Sequence, residues 1–76
     1  MSERLPSLKA REVVRILEKA GFQRWGQKGS HLTMYRESDN RALTVPMHFS
    51  GAVPRGTLRA IIRQAGLTIE EFHSLR

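Results

Sequence analysis

The chain has 76 residues, contains no cysteine and carries a formal net charge of +6 from 13 Lys and Arg against seven Asp and Glu. This length fits one small domain over residues 1–76 and excludes a second, while the lack of cysteine excludes disulfides and thiolate zinc sites. Most of the basic residues are arginines, which bind phosphate or carboxylate through planar, bidentate donors. We therefore expect nucleic acid or an acidic protein as a partner, with ordinary solubilising charge as the alternative.

An amphipathic helix is predicted before residue 21. Apolar residues recur there at helical spacing, and the charged residues lie off that stripe. The stripe consists of Ala10, Val13, Val14, Leu17 and Ala20. Gly21 favours the left-handed conformation that ends a helix. Lys9 occupies the position where Ser or Thr would complete a capping box with Glu12, so we expect a poor N-cap.

Three short strands are predicted next. The first covers Phe22–Gln27 and leads into a turn over Gly26–Gly29. Apolar and polar residues then alternate over His31–Arg36 and again over Arg41–His48, which is typical of half-buried strands. The polar residues 37–40 separate these two segments, so the pattern predicts a hairpin.

The register of this hairpin places its apolar residues on one face. If residues 37–40 form the loop, Arg36 lies opposite Arg41, and the shared apolar face consists of Leu32, Met34, Leu43 and Val45. His31 then lies opposite Pro46 on the other face, with His48 on its diagonal. A slip of one residue would turn His31 into the core, so the apolar pattern favours an exposed His31.

Two further helices are predicted after a connecting loop over residues 49–53. Pro54 suits a first helical turn, and the following apolar stripe consists of Leu58, Ile61, Ile62 and Ala65. Thr68 and Glu71 form the capping box of a short last helix. The order of elements indicates an α+β fold of the double-stranded-RNA-binding-domain type, α-β-β-β-α. In this fold, helices cover one face of a three-stranded antiparallel sheet.

A basic ridge follows the second of these helices. Arg55, Arg59 and Arg63 repeat every four residues on a face distinct from the apolar stripe. We expect the ridge to contact RNA phosphates or an acidic protein surface, and a solvated helix face is the alternative.

The segment Lys28-Gly29-Ser30-His31 carries the groups that RNA cleavage requires. Cleavage without a metal needs a base for the 2′-hydroxyl, an acid for the 5′-oxygen and donors to the phosphate. His31 is the candidate acid or base, since an imidazole changes charge near neutral pH. The candidate phosphate ligands are Lys28, the Gly29 and Ser30 N–H groups and the Ser30 hydroxyl. His48 is a possible second proton-transfer group. On spacing alone, a turn histidine bonded to backbone remains the alternative for His31.

Other residues extend or limit this interpretation. Tyr35 and Trp25 are candidates to stack on bases, and a partly buried anchor is the alternative for Trp25. With three histidines and no His-x-x-x-His pair on a predicted helix, we expect neither a metal nor a cofactor. The chain lacks a signal-peptide core and any apolar run near the roughly 20 residues that span a bilayer, so we expect a cytoplasmic protein without membrane contact.

Several linked motifs, taken together, resemble the HicA toxin family over about residues 10–75. They are the segments Arg11–Phe22, Gln27–His31, Leu43–His48 and Arg55–Leu67. The resemblance implies a ribosome-independent mRNA interferase, an endoribonuclease that acts as the toxin of a type II toxin–antitoxin system. It also implies mRNA as substrate, a HicB-type antitoxin as partner, and His31 as the active histidine.

Two positions depart from the family pattern. Lys9 replaces the usual helix cap, and Leu32 replaces a second histidine that some members carry after the first.

Two other functions share the expected fold. A non-catalytic double-stranded-RNA-binding module would rely on basic residues at the start of the second helix and would not need a histidine on the sheet. A toxin-like fold kept only for partner binding is the other alternative.

Overall fold

The computed structural model describes residues 5–76, which form a helix, three strands and two more helices. The elements are α1 (Ala10–Lys19), β1 (Gln23–Lys28), β2 (His31–Arg36), β3 (Arg41–Pro46), α2 (Arg55–Gln64) and α3 (Ile69–Ser74). The strands form one antiparallel sheet in the order β1-β2-β3. The predicted α+β fold with a short C-terminal helix is therefore confirmed. No helix within residues 5–76 is long and apolar enough to cross a membrane.

The core lies between the helices and one face of the sheet. Its buried residues come from both helical stripes and from the predicted apolar face of the hairpin: Val13, Val14, Leu17, Leu32, Met34, Leu43, Val45, Leu58, Ile61, Ile62 and Ala65. Phe72 adds the buried anchor of α3, whose N-terminus is held by the predicted Thr68–Glu71 capping box. Burying this apolar surface is the main favourable term in folding, and it leaves the other face of the sheet open.

The β2–β3 register matches the prediction at every pair. Pairing runs from His31 opposite Pro46 to Arg36 opposite Arg41. Between the strands, Glu37–Asp39 form a single 3₁₀ turn, and Asn40 adopts a left-handed conformation with φ of 54°. Asn tolerates this conformation better than most residues with a side chain, which suits it to close the hairpin.

Several predicted boundaries were wrong by one or two residues. The first strand is Gln23–Lys28, so Lys28 belongs to the sheet and the turn shrinks to Gly29 and Ser30. The third strand ends at Pro46, since proline has no N–H with which to continue a ladder. Pro54 is the N-cap of α2 and does not belong to its first turn.

The N-cap of α1 is half formed. Lys9 provides no side-chain cap, as predicted, but its N–H donates to Glu12 Oε1 at 2.8 Å. The carboxylate therefore supplies one of the two hydrogen bonds of a capping box.

Arg36 ties the hairpin to the ends of both long helices. Its guanidinium donates to Ala20 O, at the end of α1, at 2.9 Å and to Ala65 O, at the end of α2, at 3.0 Å. It also lies 4.5 Å from the centre of the Phe22 ring and forms a bidentate pair with Asp39. A cation at a helix C-terminus is favourable because the exposed carbonyls carry partial negative charge.

Arg41 makes a second connection of this kind, and the two arginines together show at which end of the sheet the helices end. It donates to Gln64 O at 3.1 Å and to the same Asp39 carboxylate. Both arginines sit where β2 ends and β3 begins, so the C-termini of α1 and α2 lie at that end of the sheet. The helix N-termini therefore lie toward the opposite end, where His31 begins β2.

Candidate active site

A two-residue turn presents Lys28 and His31 side by side. The two residues pair directly across β1 and β2, so their side chains project from the same face of the sheet. Gly29, the first central residue of the turn, has φ of +59°, a conformation typical of tight hairpins and suited to glycine.

The turn leaves hydrogen-bond donors open. Gln27 Nε2 donates to Gly29 O at 3.1 Å, so the carbonyl of the turn is occupied. Within residues 5–76, neither the Gly29 nor the Ser30 N–H donates to a protein acceptor, and Lys28 Nζ has no ion-pair partner. Free N–H groups beside a lysine form a suitable environment for an anion such as phosphate.

His31 and His48 face each other across this end of the sheet. The Ser30 carbonyl accepts a hydrogen bond from the Met47 N–H, which holds the residue after β3 against the turn. As a result, the imidazole centres of His31 and His48 lie 6.1 Å apart at an angle of 53°, and both residues are exposed. The predicted exposure of His31 and its closeness to His48 are confirmed. His48, however, lies beyond the end of β3 and not on it.

Phe49 packs against the second histidine, a contact that was not predicted from the sequence. Its ring centre lies 4.3 Å from that of His48, and the two rings are tilted by 39°. The sequence pattern places Phe49 only in the connecting loop. An aromatic residue directly after a candidate catalytic histidine is the signal that was available.

The histidine pair has a spacing suited to proton transfer. A proton-transfer group must lie within about 2.6–3.2 Å of the atom that it serves. Because the ring centres lie 6.1 Å apart, one reacting group can enter between the two imidazoles. Because both residues are exposed, a polymer can approach from solvent.

Two aromatic side chains lie further along the open face. Trp25 is the extra residue of a β-bulge, because Arg24 pairs with Met34 and Gly26 with Thr33. The Trp25 ring centre lies 4.8 Å from that of Tyr35, and the tryptophan is 69% exposed. The interpretation of Trp25 as a partly buried anchor was therefore wrong. Its indole lies on the open face, on the same side of β1 as Gln23, which pairs with Tyr35.

The basic ridge belongs to the helical layer. Arg55, Arg59 and Arg63 are exposed on α2, which packs against the covered face of the sheet. The side chain of His31 projects from the opposite, open face. The structure thus does not bring the ridge to the histidine pair, although Arg55 starts α2 toward the same end of the sheet.

The sequence model of the HicA toxins of bacterial toxin–antitoxin systems matches residues 10–67. The chain belongs to the HicA toxin family. Residues 10–67 include β1 to β3, α2 and the whole Lys28–His31 segment. A comparison with curated proteins finds no match. Membership makes this HicA toxin one half of a toxin–antitoxin pair and implies an antitoxin partner.

The departure at Leu32 falls outside the candidate site of this HicA toxin. Leu32 is 2% exposed and packs in the core, opposite Val45. A side chain at that position points to the covered face, whereas His31 points to the open one. The replacement therefore leaves the groups around His31 unchanged.

Proposed function

We propose that this HicA toxin is a metal-independent and ribosome-independent endoribonuclease, an mRNA interferase, in which His31 transfers protons. The observation that carries the proposal is the exposed pair of His31 and His48. The pair lies beside Lys28 and the unoccupied N–H groups of the turn. This arrangement combines two proton-transfer groups with donors for a phosphate.

The proposed reaction uses the RNA itself as the nucleophile. The 2′-oxygen attacks the adjacent phosphorus, and the bond from phosphorus to the 5′-oxygen breaks. One imidazole accepts the 2′-hydroxyl proton, while the other, protonated, donates a proton to the departing 5′-oxygen. Lys28 and the N–H groups of Gly29 and Ser30 stabilise the negative charge that develops on the phosphate oxygens. The products are a 2′,3′-cyclic phosphate and a 5′-hydroxyl.

The charge distribution of the sheet supports a polyanionic substrate. No residue of β1, β2 or β3 is Asp or Glu. Among their basic residues, Lys28 lies beside His31 on the open face, whereas Arg24, Arg36 and Arg41 are paired with Glu18 or Asp39. The acidic residues that the structure describes lie in the helices and in the 3₁₀ turn. An RNA strand on the open face would therefore meet no carboxylate from the strands themselves.

The proposed partner is a HicB-type antitoxin, and co-expression provides the test. We expect the toxin alone to arrest growth and the co-expressed antitoxin to relieve the arrest and to copurify with the toxin. Arg55, Arg59 and Arg63 would then contact either the phosphates of a longer RNA or acidic residues of the antitoxin. Persistent arrest without complex formation would contradict this partner.

A non-catalytic double-stranded-RNA-binding module is the second candidate, favoured by the shared fold and by the arginine at the start of α2. To separate the two, purified protein is incubated with single-stranded and with double-stranded RNA in EDTA. We expect cleavage of the single strand into fragments with cyclic phosphate ends. Binding of the duplex, with every single-stranded RNA left intact, would support the module and overturn the nuclease.

A further inference from the structure

We propose that Trp25 and Tyr35 form a stacking platform for one nucleobase of the single-stranded RNA whose phosphate is held at His31. This inference rests on the proposed nuclease function and extends it from the reacting group to the recognition of a neighbouring base. The platform is the pair of rings on the open face, 4.8 Å apart and tilted by 50°.

The β-bulge gives Trp25 its position. In a regular strand Trp25 would lie on the open face directly opposite Thr33. Because Gly26 takes that pairing instead, Trp25 is the unpaired residue of the bulge and packs its indole beside Tyr35. Bulges occur preferentially beside active sites. Within residues 5–76, Trp25 is the one large apolar side chain that is mainly exposed. It offers a broad aromatic face to solvent.

Tyr35 is held in place before any ligand binds. Its hydroxyl donates to Asn40 Oδ1, and Asn40 is fixed by the left-handed turn of the hairpin. The Tyr35 ring therefore supports the indole in a set orientation. Such preorganisation lowers the entropy cost of ordering the site when a base binds.

The distance along β2 relates the platform to the histidines. Tyr35 follows His31 by four residues, which is about 13 Å along a strand. Stacked nucleotides advance about 3.4 Å each, so a base on the platform belongs to a nucleotide within about four steps of the phosphate at His31. Thr33 lies between them on the same face, and no strand residue is acidic. A nucleic acid strand can therefore follow this path without repulsion from a carboxylate of the strands, and the paired rings offer it a surface on which a base can stack.

Tryptophan fluorescence tests the contact directly, since Trp25 is the single tryptophan of the chain. The probes are short 2′-O-methyl oligoribonucleotides, which bind without being cleaved because the 2′-oxygen is blocked. We expect a saturable change in fluorescence on titration. In anisotropy titrations, W25A should raise the Kd about 5- to 150-fold, the range measured for losing one stacked base. W25F should restore most of the affinity, and Q64A, which shortens an exposed side chain on α2 in the helical layer, should leave it unchanged.

An abasic probe separates stacking from charge. If the platform binds a base, removing that base from the oligonucleotide should erase the difference between wild type and W25A. Equal Kd values for wild type and W25A on every intact probe would overturn the platform, even if the wild-type toxin cleaves RNA. W25A that binds RNA normally but loses the antitoxin would assign the rings to a protein interface and also overturn it. Failure of the nuclease itself would appear separately, as intact RNA after incubation with wild type.

Discussion

Replacing Arg36 by methionine removes the side chain that joins the hairpin to the ends of α1 and α2. Its guanidinium makes two hydrogen bonds to backbone carbonyls, at 2.9 and 3.0 Å, and its side chain is 16% exposed. Hydrogen bonds that involve a charged group contribute about 1.5–3 kcal/mol each. The freed carbonyls are part-buried and regain some water, and methionine retains contact with Phe22. We therefore expect a loss of about 2–4 kcal/mol in the free energy of unfolding.

Thermal unfolding followed by circular dichroism at neutral pH measures this loss. For a domain of this size, each kcal/mol lowers Tm by about 4–8 °C, so R36M should unfold about 10–30 °C below wild type. The matched control is R24M, which makes the same replacement on β1. Arg24 meets Glu18 at 3.4 Å with both side chains well exposed, and such pairs contribute about 0–1 kcal/mol. Equal Tm shifts for R36M and R24M would refute the role given to Arg36.

Three further predictions concern the hairpin loop, the turn and the second histidine. Two arginines, the hydrogen-bonded Arg36 foremost, lower the pKa of Asp39 from 3.8 to about 2. The ionised Asp39 carboxylate therefore stabilises the fold above about pH 4, and this contribution is lost as the pH falls toward 2. In D39N the dependence of Tm on pH should be weaker over that range. G29A should cost about 1–2 kcal/mol in urea unfolding because φ is positive there, whereas G26A, equally free of steric contacts, should cost less. F49A should slow RNA cleavage by releasing His48, with RNA affinity retained; an unchanged cleavage rate would contradict that positioning role.

The register of the hairpin was predictable because two independent constraints agree. The four polar residues 37–40 set a loop length, and alternation requires Leu32, Met34, Leu43 and Val45 to share one face. Together these constraints predict which face His31 occupies, and the observed pairs match. The two long helices followed similarly from their apolar stripes.

Features that depend on tertiary contacts were not predicted, because the local sequence pattern carries no information about them. The bulge at Trp25 adds one residue to a strand without disturbing its composition, so alternation alone placed no break there. The sequence predicted Arg36 only as the end of a strand opposite Arg41, and its partial burial depends on the two helix ends that meet there. The segment before α1 also joins the core, where the Val53 N–H donates to Leu8 O at 2.7 Å. That contact links residues far apart in sequence.

The single-turnover rate of RNA cleavage in EDTA tests most directly whether His31 transfers protons. The rate is compared for wild type, H31A and H73A. H73A is the matched control, because it replaces a histidine by alanine in α3, which belongs to the helical layer. A positioned acid or base contributes about 10²- to 10⁴-fold, so H31A should be slower by at least about 100-fold while H73A cleaves at the wild-type rate. Cleavage by H31A as fast as by H73A would contradict the assignment.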